Sequence, residues 1–174
     1  ASFSGPAGGS GSSRNQDGGP RFSLRSRATP GSIVPEDRKV IAIGLVEDNP
    51  ADATLVRQTP GEHQGTGEIT GFADGENAIR FIHALDNDAL VCPDLIIIDL
   101  NLPRRPGRDV LESIRQSERC AKIPAVILSS SDAQEDRAEA VRLGATAYLR
   151  KPSRLEEFLR LGAVFKEMIP GAAD

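Results

Sequence analysis

Tryptophan is missing from this 174-residue chain, tyrosine and methionine occur once each, and cysteine and histidine occur twice each. Cys92 and Cys120 lack the close spacing of a metal-binding pair, and His63 and His83 stand apart from both, so neither a zinc site nor a Cys/His nucleophile is indicated. Structural or surface roles are expected for all four. No apolar run approaches the roughly 20 residues that a membrane helix needs, and the start of the chain has no signal-peptide core, so a cytoplasmic protein without membrane association is expected. Excess positive charge is also lacking. A net charge of −4 makes nucleic acid an unexpected partner.

Large apolar residues are scarce and without period between Ala1 and Pro35, a stretch rich in Gly, Ser and Pro. Such a segment cannot offset its ordering entropy by burial, so residues 1–37 are expected to be a disordered tail ahead of one domain at 38–170. Arg14, Arg21, Arg25 and Arg27 against Asp17 give residues 1–35 a charge of +3, which leaves −7 of the overall −4 on the remainder. An acidic partner for the tail is conceivable, but a solvated extension is the simpler expectation.

What the chain does contain is organised around Leu95 to Leu111, LIIIDLNLPRRPGRDVL. Apolar residues run without alternation into Asp99, the pattern of a strand buried on both faces of a parallel sheet. A carboxylate at the end of such a strand is costly to bury alone and is expected to face a crevice holding cations. Pro103, Pro106 and Gly107 mark a loop, and a helical pattern begins at Val110, Leu111 and Ile114.

The same alternation fills the rest of the chain. Lys39 to Val46 reads as a strand ending in Glu47, Asp48 and Asn49, with Pro50 opening a helix that reaches about Gln58. The Gly-rich loop Pro60 to Gly67 leads to a weak strand, Glu68 to Phe72, which suits a sheet edge, and Asp74 is a cap for a helix with Ala78, Ile79, Ile82 and Leu85 inward. Pro124 to Leu128 is a fourth strand running into Ser129, Ser130 and Ser131, with Asp132 placed to cap a helix that Gly144 ends. Ala145 to Leu149 is a fifth, ending at Arg150, Lys151 and Pro152, before a helix to Met168 with Leu155, Phe158, Leu159 and Phe165 inward.

Five βα units predict an α/β fold, a doubly wound five-stranded parallel sheet of order 2-1-3-4-5. Ligands of such sheets bind outside the carboxyl ends of the strands where the winding reverses, here between the first and third. Glu47, Asp48 and Asp99 converge there. Three adjacent carboxylates call for a hard divalent cation, and Mg²⁺ fits, since it prefers oxygen ligands shared with a phosphoryl group. Ser129 and Lys151 bring a hydroxyl and an ammonium to the rim of the same crevice, the donors that hold phosphoryl oxygens.

The succession VEDNP at 46–50, DLNLP at 99–103, ILSSS at 127–131 and YLRKP at 148–152 resembles the receiver domains of two-component response regulators, which have a flavodoxin-like fold. The stretch from Asp99 to Leu111 is similar to the small single-domain regulators that serve phytochrome-type and hybrid histidine kinases. Pro106 departs from the acidic or polar residue often found before that glycine. The resemblance implies that Asp99 is the phosphoacceptor, that Glu47, Asp48, Asp99 and the backbone carbonyl of Asn101 hold Mg²⁺, and that Lys151 is the phosphoryl-binding cation. It implies that Ser129 is the switch hydroxyl, that Tyr148 is the aromatic whose rotamer follows the state, and that the Lys151–Pro152 peptide is cis. Implied partners are a histidine kinase or phosphotransfer protein. With few residues after the last helix, output is expected through protein binding or homodimerisation by the fourth helix, fifth strand and fifth helix, near Glu135 to Leu161.

Taken singly, these residues have bland explanations: Glu47 and Asp48 as helix-capping acids, Lys151 as a surface cation, the serines as a turn, Tyr148 as a core aromatic. Their joint position at the carboxyl ends of four strands argues for chemistry. A receiver-like scaffold that binds partners without phosphorylation is the alternative, although no acid and no lysine of the set is missing. A phosphatase or dehydrogenase on a similar sheet would need a second acid two residues after Asp99 or a GxGxxG loop, and neither is present. The expected protein is therefore a self-modifying switch rather than an enzyme.

Overall fold

The computed structural model describes residues 40–59, 68–87 and 90–171. The expected disordered tail, the Gly-rich loop 60–67 and His63 lie outside the described residues. Five strands, β1 (Ala42–Val46), β2 (Glu68–Phe72), β3 (Leu95–Ile98), β4 (Ala125–Ser129) and β5 (Ala147–Arg150), alternate with five helices. These are α1 (Pro50–Gln58), α2 (Gly75–Asn87), α3 (Gly107–Gln116), α4 (Gln134–Arg142) and α5 (Leu155–Met168). The strands pair in parallel in the order β2-β1-β3-β4-β5, as the sequence pattern predicts.

Every residue of β3 is buried because it lies between β1 and β4 with helices on both faces. Ile43, Leu45, Leu95, Ile97, Val126 and Leu128 form one face of the core with Val56 of α1 and Phe158 and Phe165 of α5. Their alternates Ile96, Ile98 and Ile127 point to the other face, where α2 and α3 pack against each other. Asn49 caps α1, its side chain accepting from the Ala51 amide at 2.9 Å, and Pro50 takes the first helical position, where its missing N–H costs nothing. Asp74 caps α2 as expected, accepting from the Asn77 amide at 2.8 Å. Arg57, in the last turn of α1, donates to the Ile69 carbonyl of β2 at 3.3 Å.

Several expectations are corrected. Helix α3 starts at Gly107, ahead of Val110, and the glycine is required there: a Cβ would lie 2.9 Å from both the Asp99 carbonyl carbon and Leu100 Cα. Asp132 does not cap α4. Ala133 holds that position, and Asp132 instead pairs with Arg137 and Arg150. Leu155 and Leu159 of α5 are 50% and 41% exposed, because the inward face of that helix is set by Phe158, Gly162 and Phe165. No peptide bond among the described residues is cis, Lys151–Pro152 included; the two isomers of an X–Pro bond lie within about 1 kcal/mol, so either fits the motif. The structural role of the cysteines is a disulfide: Cys92, before β3, is joined to the buried Cys120, after α3, with Cα atoms 5.8 Å apart. His83 is exposed on α2.

Candidate functional site

The carboxyl ends of β1, β3 and β5 deliver the acids and the lysine to one place. The Glu47 amide donates to the Phe72 carbonyl and the Asp99 amide to the Val46 carbonyl, both at 2.9 Å, so the ladders continue one residue past β1 and β3. Both side chains are thereby held just beyond the sheet, where they remain buried. Asp48, the next residue after Glu47, is exposed. One carboxylate oxygen from each of Glu47, Asp48 and Asp99 lies within 4.8 Å of the others.

Lys151 enters from the end of β5. Its Nζ is 2.7 Å from Asp99 Oδ2, 2.7 Å from Glu47 Oε2 and 2.9 Å from Asp52 Oδ2. An ammonium has three N–H donors, so each has a carboxylate partner. Burial pushes the Lys151 ammonium down, but the bonds to Asp99, Glu47 and Asp52 outweigh it and raise its pKa above the ordinary lysine range. Glu47 is raised as well: burial is the main cause, opposed by its bonds to Lys151 and to the Asn49 amide and reinforced by the Asp99 charge. Three carboxylates contact the ammonium, and a fourth, Asp48, has an oxygen within 4.8 Å of oxygens of two of them, Glu47 and Asp99. The donor set is entirely hard oxygen, which suits Mg²⁺ or Mn²⁺ and not a soft metal.

Asn101 follows Asp99 in the loop, and its backbone amide donates to Asp99 Oδ1 at 3.1 Å, which fixes the carboxylate's rotation. Ser129 at the end of β4 is fully buried; its hydroxyl accepts from the Ser131 amide at 3.2 Å and its carbonyl from the Lys151 amide at 2.8 Å, so the ends of β4 and β5 are tied together. Tyr148 stands apart from the carboxylates. It is buried on β5, its hydroxyl donates to the Ser131 carbonyl at 3.0 Å, and the Arg137 guanidinium lies 4.8 Å from the ring centroid.

Reading strand ends alone missed two members of this neighbourhood. Asp52 lies in the first turn of α1, and its signal was its position two residues after Pro50, on the turn of helix that leaves the site. Arg137 belongs to α4 and reaches Tyr148 across the loop, which no local pattern announces.

The profile of the response regulator receiver domain matches residues 43–161. The chain is 33% identical over 123 residues to the probable methanogenesis regulatory protein FilR2 of Methanothrix harundinacea, which covers 71% of this chain and 79% of that protein. Over 118 residues it is 32% identical to response regulator Rcp1 of Synechocystis, covering 67% of this chain and 80% of Rcp1, whose Mn²⁺-bound crystal structure superposes with a TM-score of 0.66. The phosphorylated cyanobacterial phytochrome response regulator RcpA is similar at a TM-score of 0.70 and 30% identity, over 78% of this chain and 98% of that one. With the acid cluster, the bound lysine and the 2-1-3-4-5 sheet in place, these likenesses assign the chain to the response regulator receiver family.

Proposed function

We propose that the chain is a phosphorylation-controlled binding switch in which Asp99 accepts a phosphoryl group from a histidine kinase or phosphotransfer protein. The observation that carries this reading is the Lys151 ammonium 2.7 Å from Asp99 Oδ2, beside acids whose oxygens lie within 4.8 Å of one another. A carboxylate oxygen of Asp99 attacks phosphorus, the P–N bond to the donor histidine breaks, and the departing imidazole takes a proton. Lys151 and the Ser129 hydroxyl hold the phosphoryl oxygens. Glu47, Asp48, Asp99 and the Asn101 carbonyl would hold Mg²⁺, which supplies positive charge against the phosphoryl oxygens. The protein modifies itself and acts on no separate substrate.

Output then leaves through α4, β5 and α5. Val141, Leu155 and Leu159, exposed by 66%, 50% and 41%, supply apolar contact area there for a protein partner or a second copy. The net charge of −4 favours a protein over nucleic acid. No helix of the described residues is long and apolar enough to cross a membrane, and the cytoplasm is the setting in which a histidine kinase would reach the chain. Incubation with Mg²⁺ and a small phosphodonor, followed by intact mass, tests the reading: one phosphoryl group is gained, only with Mg²⁺, and Asp99→Asn gains none. Labelling of that variant at the wild-type level would overturn the assignment.

A further inference from the structure

Lys151 shares its three donors among residues with different duties. Glu47 and Asp99 belong to the acid cluster suited to a divalent cation, and Asp99 is also the acceptor. Asp52 belongs to neither group. Its carboxylate is 24% exposed and accepts from the ammonium at 2.9 Å. The support beneath it is rigid: Asn49 caps α1 through the Ala51 amide, Pro50 fixes the first turn, and the Ala53 amide donates to the Asn49 carbonyl at 2.9 Å. Asp52 is therefore held by a helix start that is itself built onto the end of β1, two residues beyond Pro50.

When Glu47 and Asp99 turn their oxygens to a cation or to phosphorus, Asp52 is the carboxylate of the three left to hold the ammonium. We propose, resting on the reading of Asp99 as acceptor, that Asp52 is a positioning residue: it anchors Lys151 over the acceptor and draws the ammonium away from the oxygens that Glu47 and Asp99 must give up. Two consequences point the same way. Without Asp52 the ammonium settles more tightly on Glu47 and Asp99, and the site loses one negative charge; both weaken cation binding. During phosphoryl transfer the ammonium then lacks its fixed support, and misplacement of a reacting group by about 1 Å can cost on the order of 100-fold in rate.

The test compares wild type, Asp52→Ala, Asp52→Asn and Asp52→Glu. Mg²⁺ is first titrated without any phosphodonor, following the Asn101 amide by NMR. Asp52→Ala and Asp52→Asn are expected to bind Mg²⁺ severalfold more weakly, with Asp52→Glu close to wild type. Labelling by a small phosphodonor at saturating Mg²⁺ follows. Asp52→Ala is expected to be slower by on the order of tenfold, with the donor concentration for half-maximal rate little changed and with rate restored by Asp52→Glu. Equal Mg²⁺ affinity across the four proteins, or a rate loss that Asp52→Glu fails to restore, overturns the proposal. A wild type that binds Mg²⁺ in the Asp52-dependent way but takes no label instead removes the acceptor reading and leaves the anchoring of Lys151 standing.

Discussion

Replacing Gly107 by Ala should disturb Asp99, the proposed acceptor, from behind. A Cβ at this position would sit 2.9 Å from the Asp99 carbonyl carbon and from Leu100 Cα, and closer still to the Asp99 carbonyl oxygen. That is about 0.6 to 1 Å inside the optimal separation of nonbonded carbons, and the atoms it meets are backbone, which cannot swing aside as a side chain can. Either the start of α3 lifts, lengthening the 2.9 Å bond from the Gly107 amide to the Leu100 carbonyl, or the peptide after Asp99 moves. Overpacking of this kind costs about 1 to 3 kcal/mol, and backbone contact places Gly107→Ala at the upper end. A loss of about 3 kcal/mol lowers the folded-to-unfolded ratio more than a hundredfold and Tm by on the order of 10 °C. Urea unfolding gives the stability, and intact mass after timed exposure to phosphodonor and saturating Mg²⁺ gives the labelling rate. Gly162→Ala is the matched control, since its Cβ would lie 2.7 Å from the Thr59 carbonyl carbon, at the far end of α1 from the carboxylates. Comparable destabilisation in both variants, with slowed labelling only in Gly107→Ala, is the expected result. Wild-type stability and labelling in Gly107→Ala would refute the idea that this approach fixes Asp99.

Three further outcomes are expected. Arg115 donates to the carbonyls of Gly144, Ala121 and Ile123 at 2.9, 3.0 and 3.0 Å, so Arg115→Met should lower stability by about 2 to 4 kcal/mol in urea titration, and a change below about 0.5 kcal/mol would show these bonds to be idle. Reducing the Cys92–Cys120 disulfide, whose cysteines are 28 residues apart, should cost roughly 3 to 4 kcal/mol by loop-closure entropy, read as a lower urea midpoint under reductant. Because Tyr148 is the single tyrosine and there is no tryptophan, tyrosine fluorescence reports on it alone. A beryllofluoride-type phosphoryl mimic should change that signal in the wild type and less in Ser129→Ala, and identical responses would break the link between hydroxyl and ring.

The strands were legible because burial on two faces leaves a continuous apolar run, and the run ending at Asp99 lies in a strand whose every residue is buried. The weak second strand was legible as an edge for the converse reason: of its five residues only Phe72 is buried. Helix α5 misled because its apolar residues outnumber its contact positions. Gly162, whose Cβ would collide with the Thr59 backbone, sets the rotation of the helix, and Leu159, about 100° from Phe158, is turned out. Asp52 was not legible as a site residue, since an acid in a first helical turn is ordinarily explained by the helix dipole. The disulfide was hidden because a separation of 28 residues carries no geometry until β3 and α3 have folded back on each other.

The bond from Arg57 to Ile69 bears on whether one molecule adds to the next. Glu68 donates to the Ile41 carbonyl and Phe72 accepts from the Glu47 amide, so the peptide groups of residues 68, 70 and 72 turn toward β1, and the Ile69 carbonyl turns outward along the free side of β2. An outward row of amides and carbonyls is a template on which a foreign strand can lengthen a sheet without limit. Arg57 already occupies the Ile69 acceptor, and its guanidinium lies against the backbone at Gly71, where any larger side chain would displace it. A newcomer strand would have to evict a charged side chain to reach the Ile69 carbonyl, so α1 guards that point of the β2 edge against a foreign strand.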